Sequence, residues 1–218
     1  MASKKAKALD IYEKLNTEFP EAHCELNHET PFQLAVAVLL SAQTTDAAVN
    51  KVTPALFEKY PDPFAMSEAS ITDIEFYIHH LGLYRNKAKN IKQMATMLVE
   101  KYNGVVPQTR EELVELSGIG RKSANVILSV CYGIPSLAVD THVERVTKRL
   151  GLCNAKDSVL QVEKTITSLL PMELWNTAHH LFIFFGRYLC KAQRPECERC
   201  PCTMYCKEYK KRVKKEVD

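Results

Sequence analysis

Four cysteines near the C-terminal end have a spacing that suits a metal centre. They form the pattern Cys-x6-Cys-x2-Cys-x5-Cys, with the residues Cys190, Cys197, Cys200 and Cys206. Four thiolates can hold either a zinc ion or an iron–sulfur cluster. Structural zinc usually takes two close pairs, whereas here a single Cys-x2-Cys pair has longer spacers on both sides. Cys202 lies inside the loop but outside the pattern, and we predict a metal site rather than a disulfide framework.

Two glycines, Gly118 and Gly120, lie between two short predicted helices. Glycine can adopt a positive φ, and it lets backbone N–H groups approach an anion at the start of the next helix. A Gly-x-Gly pair alone more often marks a plain turn between helices. Lys122 in the first turn of the second helix favours phosphate binding. Residues 187–218 add ten Lys/Arg against five Asp/Glu, a net charge of +5 that suits a polyanion.

Local sequence alone favours simple structural roles for Lys122 and Asp140. Lys122 would be a solvated lysine on a helix, and Asp140 would be the N-cap of a helix at 141–150.

The elements that must position these residues are predicted to be helices throughout. Glycine is sparse, with seven in 218 residues, and apolar residues recur every three or four positions rather than every two. Thr30 and Pro31 predict a helix start, and a second helix is expected to restart at Thr53 and Pro54. Further helices are predicted over 71–80, 84–102, 141–150, 158–169 and 174–189. The fold class is therefore all-α.

Composition excludes several classes of protein. Hydrophobic residues make up 46% and charged residues 25%, which is typical of a globular chain and not of a disordered one. The longest apolar run covers residues 34–40 and is far shorter than the ~20 residues that cross a bilayer. The N-terminus has no apolar signal segment. We therefore expect a cytoplasmic monomer without membrane contact.

Several motifs occur together in one order along the chain, and the likeness that they carry covers nearly all of it. They are Ser41-Ala-Gln-Thr-Thr-Asp46, Leu81-Gly-Leu-Tyr84, Leu116-x-Gly-Ile-Gly-x-Lys122-x-Ala124, Val139-Asp140-Thr-His-Val143 and the cysteine pattern. In this combination the sequence resembles the endonuclease III family of helix-hairpin-helix DNA glycosylases. One departure is Ser117, where many relatives have proline, and it affects the stiffness of the turn more than the chemistry.

The resemblance implies a two-domain helix-hairpin-helix glycosylase fold with a C-terminal 4Fe-4S cluster loop. Residues 24–134 would form a six-helix domain that contains the hairpin. Residues 1–23 and 135–218 would form the iron–sulfur cluster domain, and DNA would bind in a cleft between the two. The cofactor implied for the four patterned cysteines is one 4Fe-4S cluster.

The activity implied is that of a bifunctional enzyme of base excision repair, which removes oxidised pyrimidines from double-stranded DNA and nicks the abasic site. Lys122 would be the nucleophile and Asp140 the partner carboxylate. Gln43 would fill the gap left by the extruded base and Leu83 would wedge into the opposite strand, although residue type alone makes Leu83 a core residue. Further DNA contacts are expected from Gly118, Gly120, His142, Lys191 and Arg194.

Two other functions are compatible with parts of the pattern. Monofunctional adenine glycosylases share the hairpin and the cluster, but they typically lack a lysine at the Lys122 position and carry a further C-terminal domain. A non-catalytic iron–sulfur DNA-binding protein would not need Lys122 together with Asp140. The histidine pairs at 79–80 and 179–180 have no plausible set of metal partners, and they receive no predicted role.

Overall fold

The computed structural model describes the backbone of residues 3–217 and the side chains as far as residue 212, and all regular elements within that range are helical. This confirms the all-α prediction. The α-helices are α1 Lys4–Glu18, α2 Pro31–Leu40, α3 Asp46–Lys59, α4 Pro63–Glu68, α5 Ile71–Ile78, α6 Tyr84–Tyr102, α7 Arg110–Glu115, α8 Arg121–Tyr132, α9 Thr141–Arg149, α10 Val159–Leu169, α11 Trp175–Phe184 and α12 Lys207–Val217. A π-helical turn, Phe185–Leu189, follows α11 directly.

Two compact units divide the chain. Residues 24–134 form one of them, which we call the hairpin unit. Residues 1–23 and 135–218 form the other, which we call the cysteine unit. No helix of the described residues is both long enough and apolar enough to span a bilayer.

Helix α2 is the buried centre of the hairpin unit. Its side chains from Phe32 to Leu40 are all buried, and it packs against α3, α6 and α8. The Thr30 side chain accepts a hydrogen bond from the Gln33 N–H, with Pro31 at the first helical position, as predicted from the sequence. A nearly continuous apolar run is stable here because neighbouring helices cover it on every side.

Helix α3 differs from its prediction. It runs without a break from Thr45, whose side chain caps the helix, to Lys59, and Pro54 lies inside it. The expected restart at Thr53 and Pro54 is therefore wrong. A proline removes one helical hydrogen bond, and burial of the side chains of Val49 and Leu56 offsets that loss. The unit also contains seven α-helices rather than six, because the short α4 begins separately at its own Asp62 cap.

The cysteine unit is built around α9 and α11. Helix α1 packs against α10 and α11, and α11 in turn packs against α9. Their facing side chains form one apolar core that extends to the cysteine loop, including Ile11, Leu15, Val143, Val146, Ile166, Phe182 and Phe185. Burial of this continuous surface is the main force that holds the first helix of the chain to residues far along the sequence.

Candidate functional site

The turn between α7 and α8 depends on Gly118. Its φ is +79°, and a Cβ there would lie 2.8 Å from Leu39 Cδ1 and 3.1 Å from Asn90 Cβ. The adjacent Ser117 hydroxyl lies 2.8 Å from Gln93 Oε1 and 3.2 Å from Asn90 Oδ1, which fastens the turn to α6. Glycine is therefore required at position 118 both by backbone conformation and by space.

The start of α8 is open. Gly120 caps α8 with an extended backbone, φ −96°, so only Gly118 of the pair uses a positive φ. A Cβ at Gly120 would meet no atom within 4 Å, and the N-cap residue Gly120 has no side chain to cap the helix. Lys122 lies exposed in this first turn. The N–H groups at a helix start, beside a cationic side chain, form a favourable surface for an anion.

Asp140 caps α9. Its Oδ1 accepts hydrogen bonds from the backbone N–H of His142 at 2.9 Å and of Val143 at 2.8 Å, which confirms the N-cap role. The side chain is half-buried, and within the described residues Oδ2 accepts no hydrogen bond. One carboxylate oxygen thus fixes the side chain, while the other is left to interact with a ligand.

The chain that leads into Asp140 is buried and held by α11. The backbone N–H of Ser136 donates to Asn176 Oδ1 at 3.0 Å, and the Ala138 carbonyl lies 2.9 Å from His179 Nδ1. Because a carbonyl can only accept, His179 donates from Nδ1. Its side chain is 2% exposed. Sequence reasoning missed this histidine, since its partner is a backbone atom that no motif reveals.

Two arginines of α9 bind the carbonyl groups around Cys190. Arg145 Nη2 donates to Gly186 O at 2.7 Å and to Cys190 O at 3.1 Å, and it lies 3.2 Å from His142 Nδ1. Gly186 belongs to the π-helical turn, and a Cβ there would lie 2.8 Å from His142 Cβ. The turn therefore comes close to α9 just after Asp140.

Arg149 holds the segment after Cys190. It donates to the carbonyls of Lys191 at 2.8 Å and Ala192 at 3.0 Å, and its Nη1 lies 3.4 Å from Cys190 Sγ. The Lys191 amine pairs with Glu196 at 2.7 Å in an exposed ion pair, and Arg194 is exposed with a positive φ of 49°. An exposed pair of this kind contributes little stability, so a phosphate can compete for the amine.

The four patterned cysteines line one common pocket. Apolar side chains close it, among them Leu150, Phe185 and Leu189, and Cys202 is not part of its lining. Burial raises the pKa of the Cys200 thiol to about 11 and also raises that of Cys197. Among the described residues, no three acidic, histidine or cysteine side chains are grouped closely enough for a single metal ion. In a 4Fe-4S cluster each thiolate binds its own iron, so the ligands surround a space rather than meet at a point.

Gln43 and Leu83 share an unusual conformation within the hairpin unit. Gln43, between α2 and α3, has a φ of 53°, and Leu83, just before α6, has a φ of 60°. Both side chains are exposed, Leu83 by 56%, so Leu83 is not the core residue that its type alone suggests. Non-glycine residues with positive φ are uncommon and often lie at functional sites.

Known proteins are similar to this chain in sequence and in fold. A family model described as "HhH-GPD superfamily base excision DNA repair protein" matches residues 36–172. The chain is 55% identical to endonuclease III of Bacillus subtilis (strain 168) over 203 residues, 93% of each chain. It is 43% identical to endonuclease III of Escherichia coli (strain K12) over 209 residues, 96% of this chain and 98% of the relative.

Solved structures agree with this relationship. A non-covalent endonuclease III–DNA complex superposes with a TM-score of 0.94 at 52% identity, covering 98% of this chain and 100% of the other. A trapped endonuclease III–DNA covalent intermediate gives a TM-score of 0.93 at 53% identity, with the same coverage. Fold and site thus define a DNA glycosylase of the helix-hairpin-helix class. The chain belongs to the HhH-GPD superfamily of base excision DNA repair proteins and, within it, to the endonuclease III family.

Proposed function

We propose roles for individual residues of this protein in catalysis and DNA binding. The protein is a DNA glycosylase and abasic-site lyase that removes oxidised pyrimidines from double-stranded DNA in base excision repair. The observation that carries the proposal is an exposed lysine, Lys122, in the first turn of α8, directly after the glycine that caps this helix. Bound phosphate at that helix start would bring the deoxyribose of the same nucleotide within reach of the amine.

In the proposed reaction, the neutral Lys122 amine attacks C1′ of the damaged nucleotide. The bond between C1′ and the base breaks, and the base leaves with the bonding electrons and takes up a proton. Ring opening of the sugar then gives an imine between C1′ and the lysine nitrogen. Loss of a proton from C2′ and departure of the 3′ phosphate complete the strand cleavage, and water releases the lysine.

Asp140 is the proposed partner carboxylate. The two backbone N–H groups of α9 hold Oδ1, so the carboxylate is oriented before substrate binds. The remaining oxygen, Oδ2, would stabilise the positive charge that develops on the sugar as the base departs. It would also accept the proton that the lysine nitrogen loses after attack.

DNA binding is proposed to combine backbone and side-chain contacts. The turn at Gly118 and Gly120 would donate N–H groups to phosphate, while Lys191 and Arg194 would bind phosphate through the cysteine loop. His142 would contact the strand near Asp140. If about five phosphates are neutralised, log affinity should fall with log salt at a slope of about −4.5. A slope close to zero would show that phosphate contacts do not drive binding.

Base extrusion is assigned to Gln43 and Leu83. A base inside a duplex must leave the stack before its C1′ can be attacked, and the gap must be filled. The positive φ and exposure of both residues support this assignment, because each projects from a turn rather than from a helix face. We propose that Gln43 enters the vacated position and that Leu83 separates bases of the opposite strand.

Cys190, Cys197, Cys200 and Cys206 are proposed to hold one 4Fe-4S cluster, and their position around one common pocket supports this assignment. When bound, the cluster would join four points of the C-terminal loop and so fix the segment that carries Lys191 and Arg194. Iron and acid-labile sulfide analysis tests this assignment. We expect Cys202→Ser to keep its iron and Cys197→Ser to lose it, whereas stoichiometric zinc without sulfide would contradict the assignment.

The whole proposal is tested with purified protein on a panel of damaged duplexes, with and without borohydride. A bifunctional enzyme should release oxidised pyrimidines, cleave the strand and form a borohydride-stable complex with DNA. A monofunctional enzyme would release base without trapping, and a non-catalytic protein would do neither. Because the substrate is DNA, we also propose a cytoplasmic, nucleoid-associated location.

A further inference from the structure

Lys87 is a buried lysine in the first turns of α6. It is 4% exposed, and its Nζ donates a hydrogen bond to the Thr44 hydroxyl at 2.7 Å. Its backbone N–H donates to the Leu83 carbonyl at 3.0 Å. Lys87 therefore forms hydrogen bonds to Leu83 through its main chain and to Thr44, the neighbour of Gln43, through its side chain.

Thr44 passes this contact on to the backbone around Gln43. Its hydroxyl donates to the Ala42 carbonyl at 3.3 Å, and its N–H donates to the Ser41 carbonyl at 3.0 Å. These bonds close a tight turn whose central residue, Gln43, has the positive φ of 53°. A non-glycine residue stays in that region only where its surroundings enforce it, and the Thr44 bonds are part of that enforcement.

Burial of a lysine needs an explanation beyond packing. Desolvation disfavours its charged form and lowers the pKa of Lys87. An apolar side chain of similar length would fill the same space without that cost. What an apolar side chain lacks is a directed bond from α6 to the α2–α3 turn, because only a donor at the end of the chain can fix the position of Thr44.

We propose that Lys87 is a positioning residue that sets the Gln43 turn and the Leu83 turn in one fixed arrangement, so that both side chains enter the duplex together. This inference rests on the proposed roles of Gln43 and Leu83. The proposed role of Lys87 involves no contact with the reacting atoms. Lys87 orders the two turns before DNA binds. Base extrusion then does not include the free-energy cost of ordering them.

The test uses Lys87→Met, which keeps length and bulk but removes the donor. It also uses Thr44→Val, which keeps shape but removes the acceptor for Lys87 together with the bond to the Ala42 carbonyl. Base extrusion is followed by the fluorescence of 2-aminopurine placed beside an oxidised pyrimidine, in single-turnover reactions. Both variants should extrude and excise about 10- to 100-fold more slowly, the range set by a hydrogen bond to a charged group. Thr44→Ser keeps the hydroxyl and should extrude and excise at nearly the wild-type rate.

A substrate that needs no extrusion provides the control. Borohydride trapping on a single-stranded abasic oligonucleotide should change by less than about twofold in both variants, since the hydrogen bond that they lose acts before the chemical steps. The double variant should be no slower than Thr44→Val alone, because that variant already lacks the bond from Lys87. Equal losses on the abasic strand would show general structural damage and overturn the inference, as would wild-type extrusion by Lys87→Met.

Gln43→Ala and Leu83→Ala in the same fluorescence assay separate this inference from the proposed function. If these two variants extrude normally, their proposed roles fail and the inference fails with them. If they lose extrusion while Lys87→Met and Thr44→Val keep it, only the role of Lys87 is refuted. Thermal unfolding of each variant confirms that the reactions are run on folded protein.

Discussion

Substitution by alanine should have different effects at the two glycines of the hairpin turn. It should lower stability at Gly118 and DNA affinity at Gly120. At Gly118 the φ of +79° disfavours any side chain, which costs about 1–2 kcal/mol. A Cβ there would also lie 2.8 Å from Leu39 Cδ1, and overpacking of this kind costs about 1–3 kcal/mol. We expect Gly118→Ala to lose about 3 kcal/mol of stability.

At Gly120 the same substitution has no steric cost. The backbone is extended and a Cβ would meet nothing within 4 Å. The free energy of unfolding of Gly120→Ala should therefore lie within about 0.5 kcal/mol of the wild-type value. The open space at this position is where a phosphate would approach the N–H groups of α8. Gly120→Ala should therefore weaken binding to damaged duplex while leaving stability unchanged.

Thermal unfolding and DNA titration at fixed salt measure both effects. For a chain of this size, 3 kcal/mol corresponds to a decrease in Tm of about 6–12 °C for Gly118→Ala. Gly120→Ala should keep its Tm and lose DNA affinity. Unchanged Tm in Gly118→Ala would refute the steric argument, and unchanged DNA affinity in Gly120→Ala would refute the approach of phosphate at that residue.

Three further predictions concern the cysteine unit. His179→Leu should lose about 1–3 kcal/mol in thermal unfolding, because it leaves the buried Ala138 carbonyl without its donor, while His179→Asn keeps an N–H near the Nδ1 position and should lose less. Burial, with smaller contributions from its histidine neighbours, lowers the pKa of His180 from 6.5 to about 3, so the folded state holds it neutral. Stability should therefore decline as pH falls from 6.5 towards 3, by at most about 1.4 kcal/mol per pH unit, and His180→Gln should flatten that decline in acid unfolding curves. Asp140→Asn should retain its Tm, since asparagine caps a helix about as well as aspartate, yet excise an oxidised pyrimidine orders of magnitude more slowly in single-turnover assays; wild-type excision would show that the carboxylate is dispensable.

The sequence allowed prediction of those elements whose signals are local. Thr30 with Pro31 predicts the start of α2, and the residues around Gly118 predict the turn between two helices, because caps and turns depend on neighbouring residues. Asp140 as an N-cap is a prediction of the same kind. These features determine where the candidate site residues lie along the fold.

Features that depend on distant residues could not be predicted. The π-helical turn ends α11 where Gly186 lies against α9 and its carbonyl accepts from Arg145, a contact between segments far apart in sequence. Pro54 was expected to break a helix, but packing outweighs the lost bond. The exposure of Leu83 and the burial of Lys87 likewise reverse what residue type predicts.

The most direct test of the central claim is borohydride trapping on an abasic duplex by Lys122→Gln and Lys122→Arg. The arginine variant keeps the positive charge but has no amine that forms an imine, so it separates binding from nucleophilic attack. We predict that both variants bind damaged DNA, that the arginine variant binds with nearly wild-type affinity, and that neither gives a covalent complex or cleaves the strand. Undiminished trapping by either variant would show that another amine is the nucleophile and would contradict the assignment of Lys122.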